Sequence, residues 1–119
     1  MSAAVLTGDE VRFVNLVAAR RSGSLAPGWQ PPALALDPID GDTPFARAAA
    51  LAAALARPGV LETASLPTIL LATCCQLRRD GHRLMAPQGV AAGMTRGLAN
   101  GSVSAAEFAA WLKDRAVAD

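Results

Sequence analysis

Thr63, Ser65 and Thr68 place three hydroxyls at the start of an apolar run. Side-chain oxygens there can cap a helix by accepting from its first amides. Together with those amides they can also cradle an anion, because a helix N-terminus is electropositive. The pattern reads first as a cap, with an anion or ligand pocket as the sharper alternative. Glu62 adds negative charge at that point and disfavours a nucleotide. His82 is the single histidine and follows Gly81, which suits a turn residue better than a general base. Cys74 and Cys75 are adjacent. Neighbours on a helix diverge by roughly 100° and cannot bridge without strain. They read as reduced packing residues. Two cysteines and one histidine at this spacing do not make a zinc set, so no metal site is expected. Trp29 lies among prolines and is either a loop staple or an anchor for a ligand or partner.

The elements that carry these residues follow from caps and breakers. Thr7-Gly8-Asp9-Glu10 is a capping box opening a helix over about 8–21, with Val11, Val14, Ala18 and Leu16 or Val17 inward. Residues 22–42 hold Pro27, Pro31, Pro32 and Pro38 and read as a loop. Thr43-Pro44 starts a second helix to about Arg57, with Phe45, Ala48, Leu51, Ala52 and Leu55 inward. A third helix runs from about Leu66 to Asp80, capped by Ser65 or Thr63 and stopped at Gly81. Its inward set is Ile69, Leu70, Thr73 and Leu77, with Cys74 alongside. Residues 82–86 form an extended link. A fourth helix, about 87–99, carries Gly89, Gly93 and Gly97 on one face, a pattern of close helix packing or of a partner groove. Ser104 and Glu107 form a second capping box, and the last helix runs to about Val117 on a stripe of Phe108, Trp111 and Leu112. The second and third helices carry least charge and are expected to be the most buried.

A chain of 119 residues makes one domain and can bury about two-thirds of its unfolded surface. With 52% hydrophobic and 18% charged residues, wholesale disorder is excluded. Alanine, the best helix former, occurs 27 times and points to an all-α bundle of about five helices. A net charge of +1 gives no basic face for nucleic acid. The absence of Tyr and the presence of only three Phe remove a base-stacking platform. The longest apolar stretch, Ala48 to Ala56, is too short to span a membrane, and Met1 to Glu10 has no basic leader. These features suit a cytoplasmic protein.

Four stretches carry a resemblance to a known family. They are Phe45 to Leu51 with Leu55-Ala56-Arg57; Leu77-Arg78-Arg79-Asp80-Gly81-His82-Arg83-Leu84; Ala86-Pro87 to Leu98; and Asn100-Gly101-Ser102 to Leu112. In this order and spacing they resemble the Fic/Doc family, and the Doc-type toxins in particular. Thr7 to Leu16 matches the opening helix more loosely. The resemblance implies a compact helical fold with an active-site motif at the start of the third helix. That motif would fall on residues 59–67. Gly59 stands where the family has its catalytic histidine, and Leu61 where it has a phenylalanine anchor. Thr63 stands at the acidic position, Ala64 at a small residue, Ser65 at an asparagine and Pro67 at the phosphate-binding arginine.

Phosphoryl or nucleotidyl transfer needs a positioned nucleophile, a cation and anion-binding donors. Losing a general base alone removes roughly 10²–10⁴ in rate. The resemblance with this substituted motif therefore implies a non-catalytic protein without a cofactor. It would act by binding a protein, an antitoxin-like segment or a translation factor, in a toxin–antitoxin-derived setting. Two alternatives stand beside it. One is an active toxin with a rebuilt site that uses ATP and magnesium to modify a protein hydroxyl. The other is the same scaffold recruited as a small-ligand binder or a new enzyme, with Thr63, Ser65, Thr68 and Trp29 as contacts.

Overall fold

The computed structural model describes residues 5–22, 41–57, 60–61 and 64–118. The fold is all-α. Its helices are α1 (Gly8–Ser22), α2 (Pro44–Leu55), α3 (Ser65–Arg79), α4 (Gln88–Asn100) and α5 (Ala105–Arg115). Among the described residues, the strand content is one antiparallel pair, β1 (His82–Leu84) with β2 (Ala116–Ala118). The 22–42 loop expectation falls almost wholly outside the described residues.

Local chemistry sets the helix starts. The Thr7 hydroxyl accepts from the Glu10 amide at 3.2 Å, and the Glu10 carboxylate accepts from the Thr7 amide at 3.0 Å. Thr43 accepts from the Ala46 amide, with Pro44 in the first turn of α2. Ser104 and Glu107 form the same reciprocal box as Thr7 and Glu10. Gly81 and Gly101 take positive φ at the ends of α3 and α4, where a Cβ would be strained.

Helix α2 is the centre and packs against both α3 and α5. Its buried face is Ala48, Ala49, Leu51, Ala52 and Leu55. Three alanines on that face keep side-chain bulk low and let neighbouring helices approach. The facing residues are Ile69, Ala72 and Leu77 of α3 and Phe108 and Leu112 of α5. Most of the largest fully buried side chains lie on α2, α3 and α5.

Several sequence expectations need correction. The inward face of α1 takes Asn15 and Ala19, whereas Leu16 and Val17 are half-buried. On α3 the buried set is Thr68, Ile69, Ala72, Thr73, Gln76 and Leu77, while Leu70 and Cys74 turn away. Helix α5 stops at Arg115, and the residues after it pair with 82–84 instead of continuing the helix. Phe45 is half-buried and meets the His82 ring edge-on at 5.1 Å. Trp111 is half-buried against Phe108.

A polar cluster joins the ends of the bundle. Asp80 and Arg47 approach to 3.4 Å, with only 1% and 16% of their side chains exposed. The Gln76 amide group donates to Asp80 at 3.2 Å and accepts from the Leu6 amide at 2.8 Å. Arg47 also donates to the Gly41 carbonyl. On the surface, Arg79 pairs with Glu10 and so links α3 to α1.

The three α4 glycines differ in environment. A Cβ on Gly97 would lie 2.6 Å from a methyl of Val103 and 3.1 Å from the Ser102 hydroxyl, whereas Gly89 and Gly93 face open space. Close packing therefore holds for Gly97 alone, and it is against the following turn. Gly97→Ala should cost about 1–3 kcal/mol, because stiff Val103 must move. Gly93→Ala should gain about 0.5–1 kcal/mol from helix propensity. Denaturant midpoints of the two variants check the contrast.

The Arg79 guanidinium and the Thr7 amide lower the Glu10 carboxyl from its ordinary 4.5 to about 2. The stability this gives is present above the unfolded pKa and is lost as pH falls through the folded one. Between pH 4.5 and 2 the wild type should lose more stability than Glu10→Gln. The pair is solvent-exposed and screened, so the difference should stay within about 1 kcal/mol. Acid unfolding curves of the two proteins measure it.

Candidate functional site

The first turn of α3 is where the resemblance places an active-site motif, and three helices position it. Leu61 lies half-buried against the core. The chain then enters α3 through Ala64, whose φ of 52° and ψ of 42° are left-handed. A Cβ is disfavoured there by roughly 1–2 kcal/mol. Ala64 is also the N-cap, and it supplies no side-chain acceptor. The expected cap by Ser65 or Thr63 is therefore corrected: Ser65 is the first helical residue, one position too late to cap. Gly59, Glu62, Thr63 and Trp29 lie outside the described residues.

Thr68 is not available to a ligand. It is fully buried, and its hydroxyl accepts from the Asn15 side-chain amide at 2.9 Å. This bond joins α1 to α3 beneath the candidate site. An Asn on the inward face of an amphipathic helix has no apolar signal, so its partner emerges only when the two helices pack. Ser65 is half-buried and Pro67 exposed. The structure thus brings Ala64, Ser65 and Pro67 together at one helix start and removes Thr68 from the set.

His82 is at the opposite end of α3. Its Nδ1 lies 3.1 Å from the Asp80 carbonyl, its ring meets Phe45, and its backbone belongs to β1. It is a strand residue just after the turn at Asp80-Gly81, not part of the α3 helix start. Cys74 and Cys75 are free thiols, both half-buried. Burial raises the pKa of Cys74, and the neighbouring Cys75 adds to the rise. Burial also raises Cys75, against the opposing charges of Arg79 and Arg78. Neither is activated as a nucleophile, since the thiolate is the reactive form. Among the described residues no three His, Cys, Asp or Glu side chains gather where they could hold a metal ion. Among them, too, no helix is long and apolar enough to cross a membrane.

The sequence reading missed a groove. Leu66, Leu70 and Cys74 form a row at four-residue spacing on α3, with Pro67 and Leu71 beside it. None of these residues belongs to the fully buried set of α3. Together with Ala18 and Arg21 of α1, and Ala92, Thr95 and Arg96 of α4, they line a half-open groove of about 620 Å³. The Thr95 hydroxyl is already used, donating to the Ala91 carbonyl. The signal was present in the sequence: α3 is apolar on more than one face, which exceeds what a single packing stripe needs.

Replacing Ala64 with glycine should relieve the left-handed strain and raise stability by about 1 kcal/mol. Thermal or denaturant unfolding of Ala64→Gly checks this. No known family model matches the chain, and no curated protein matches it.

Proposed function

We propose that this protein is a catalytically degenerate Fic/Doc-like domain that acts by binding another protein, in or derived from a toxin–antitoxin system. The observation that carries the reading is the first turn of α3. It offers Ala64, Ser65, Leu66 and Pro67, among which there is no general base, no carboxylate and no cationic phosphate clamp, and the Ser65 hydroxyl is the single polar side-chain group. Thr68 is committed to Asn15, and the single histidine lies at the far end of the helix. What remains for such a domain is contact.

Phe13 supports a binding role. It lies on α1 with 67% of its surface exposed, the most exposed large apolar side chain among the described residues. Aromatic residues of this kind serve as anchors in protein interfaces. The partner is an antitoxin-like segment or a translation factor, met in the cytoplasm. The groove favours a second reading, a scaffold recruited to bind a small ligand.

Lysate incubated with the purified protein, magnesium and ATP labelled at the α or γ phosphate should show no label transfer to protein. Transfer of either label would restore the reading of an active toxin with a rebuilt site, and the phosphate that moved would name the reaction. Phe13→Ala should lose the partner captured by the wild type while its melting temperature stays unchanged. Equal capture by both proteins would remove α1 from the interface.

A further inference from the structure

The groove between α1, α3 and α4 has a composition that selects among occupants. Its floor is Leu66, Leu70, Leu71 and Cys74, its walls carry Arg21 and Arg96, and none of the described lining residues is acidic. Neither arginine has an ion-pair partner among the described residues. The row of Leu66 and Leu70 stands outside the packed core, apolar surface that the core does not use among the described residues.

The volume, about 620 Å³, falls within the range of roughly 300–1,000 Å³ typical of small-molecule sites. An extended peptide fits the chemistry poorly. Its backbone amides need hydrogen-bond acceptors on burial, and among the described lining side chains only the Gln88 amide and the lone pairs of the Thr95 hydroxyl, whose proton goes to the Ala91 carbonyl, can supply them. An alkyl chain makes no such demand. A neutral chain would leave two guanidinium groups beside it without a counter-charge, whereas a carboxylate matches the planar donor fork of arginine.

We propose that this groove binds a free long-chain monocarboxylate. The alkyl tail lies along Leu66, Leu70 and Cys74, and the carboxylate is held by the arginines of the walls. This goes beyond the protein-binding reading and does not depend on it. It gives the second reading a ligand class.

Cys74 reports on occupancy because its thiol lines the floor. In Cys75→Ala, Cys74 is the single thiol, and its alkylation by iodoacetamide is followed at fixed pH. Saturating dodecanoate should slow alkylation about ten-fold or more, and acetate should not slow it. Dodecanol should need about a ten-fold higher concentration for the same protection, the scale of one charge-assisted hydrogen bond. Adding Arg21→Gln and Arg96→Gln should close that gap between acid and alcohol, with the helical circular dichroism unchanged. Leu70→Asp, which sets an anion on the floor outside the core, should abolish protection by dodecanoate.

Equal protection by dodecanoate and dodecanol in the Cys75→Ala protein would overturn the proposal, as would no protection at all. A thiol already unreactive without ligand would overturn it too, because the groove would then be filled by the chain itself. Co-sedimentation with phosphatidylglycerol vesicles, without protection by free dodecanoate, would assign the groove to a membrane surface instead. Failure of these arms leaves the label-transfer and Phe13 results untouched, so the two readings fail separately.

Discussion

Asp80 lies almost wholly buried between Arg47 of α2 and Gln76 of its own helix, and the arrangement of the bundle depends on that placement. Through Gln76 the cluster reaches the backbone of Leu6 ahead of α1, and through Arg47 it reaches Gly41 ahead of α2. The Asp80 carbonyl meets His82 at the start of β1. Taking two charges out of water costs several kcal/mol per ion, repaid only by close geometry and added hydrogen bonds. Here the repayment is partial, because one Asp80 oxygen and the Arg47 Nε have no partner among the described residues. Such a pair adds little over an apolar one, yet breaking it strands a buried charge. Its effect is to fix where α2 crosses the end of α3, and so which faces of α3 meet the core.

That crossing decides the character of the candidate site. Burying Ile69, Ala72, Thr73, Gln76 and Leu77 leaves Leu66, Leu70 and Cys74 on the side that α4 lines. It also sets Thr68 over Asn15, converting a hydroxyl near a helix start into an interhelical bond. One constraint at the C-terminal end of α3 therefore accounts for both a lost ligand contact at the other end and an uncovered apolar face between them.

The starts of α1, α2 and α5 were legible because their chemistry is local. Thr7 with Glu10, Thr43 with Pro44, and Ser104 with Glu107 each satisfy orphan amides within four residues. The C-terminal glycines were legible for the same reason. What escaped depends on contacts between distant residues. Asn15 on an inward face, Gln76 at the centre of a polar cluster and the pairing of Ala116 with Leu84 carry no periodic signal. The residues expected at the site divide in the same way. Leu61 keeps its apolar seat, Thr68 is withdrawn by a helix that sequence alone could not orient, and Ala64 adopts a backbone conformation that its side chain disfavours.

The pairing of β1 with β2 has a further consequence. Together with the bond from the Met85 amide to the Arg115 carbonyl, it clasps the two ends of the segment that contains α4 and α5. Within that closed loop α5 is pinned to α2 by Phe108 and Leu112, whereas α4 leans mainly on α3 and carries three glycines. The entropy of closing the loop is thus already met by the clasp and α5. Helix α4 is then a wall held between the clasp, α3 and the turn that Gly97 packs against. Because this wall bounds the groove, closing the 82–118 loop also sets the groove's width, while α3, packed against α2, supplies its floor.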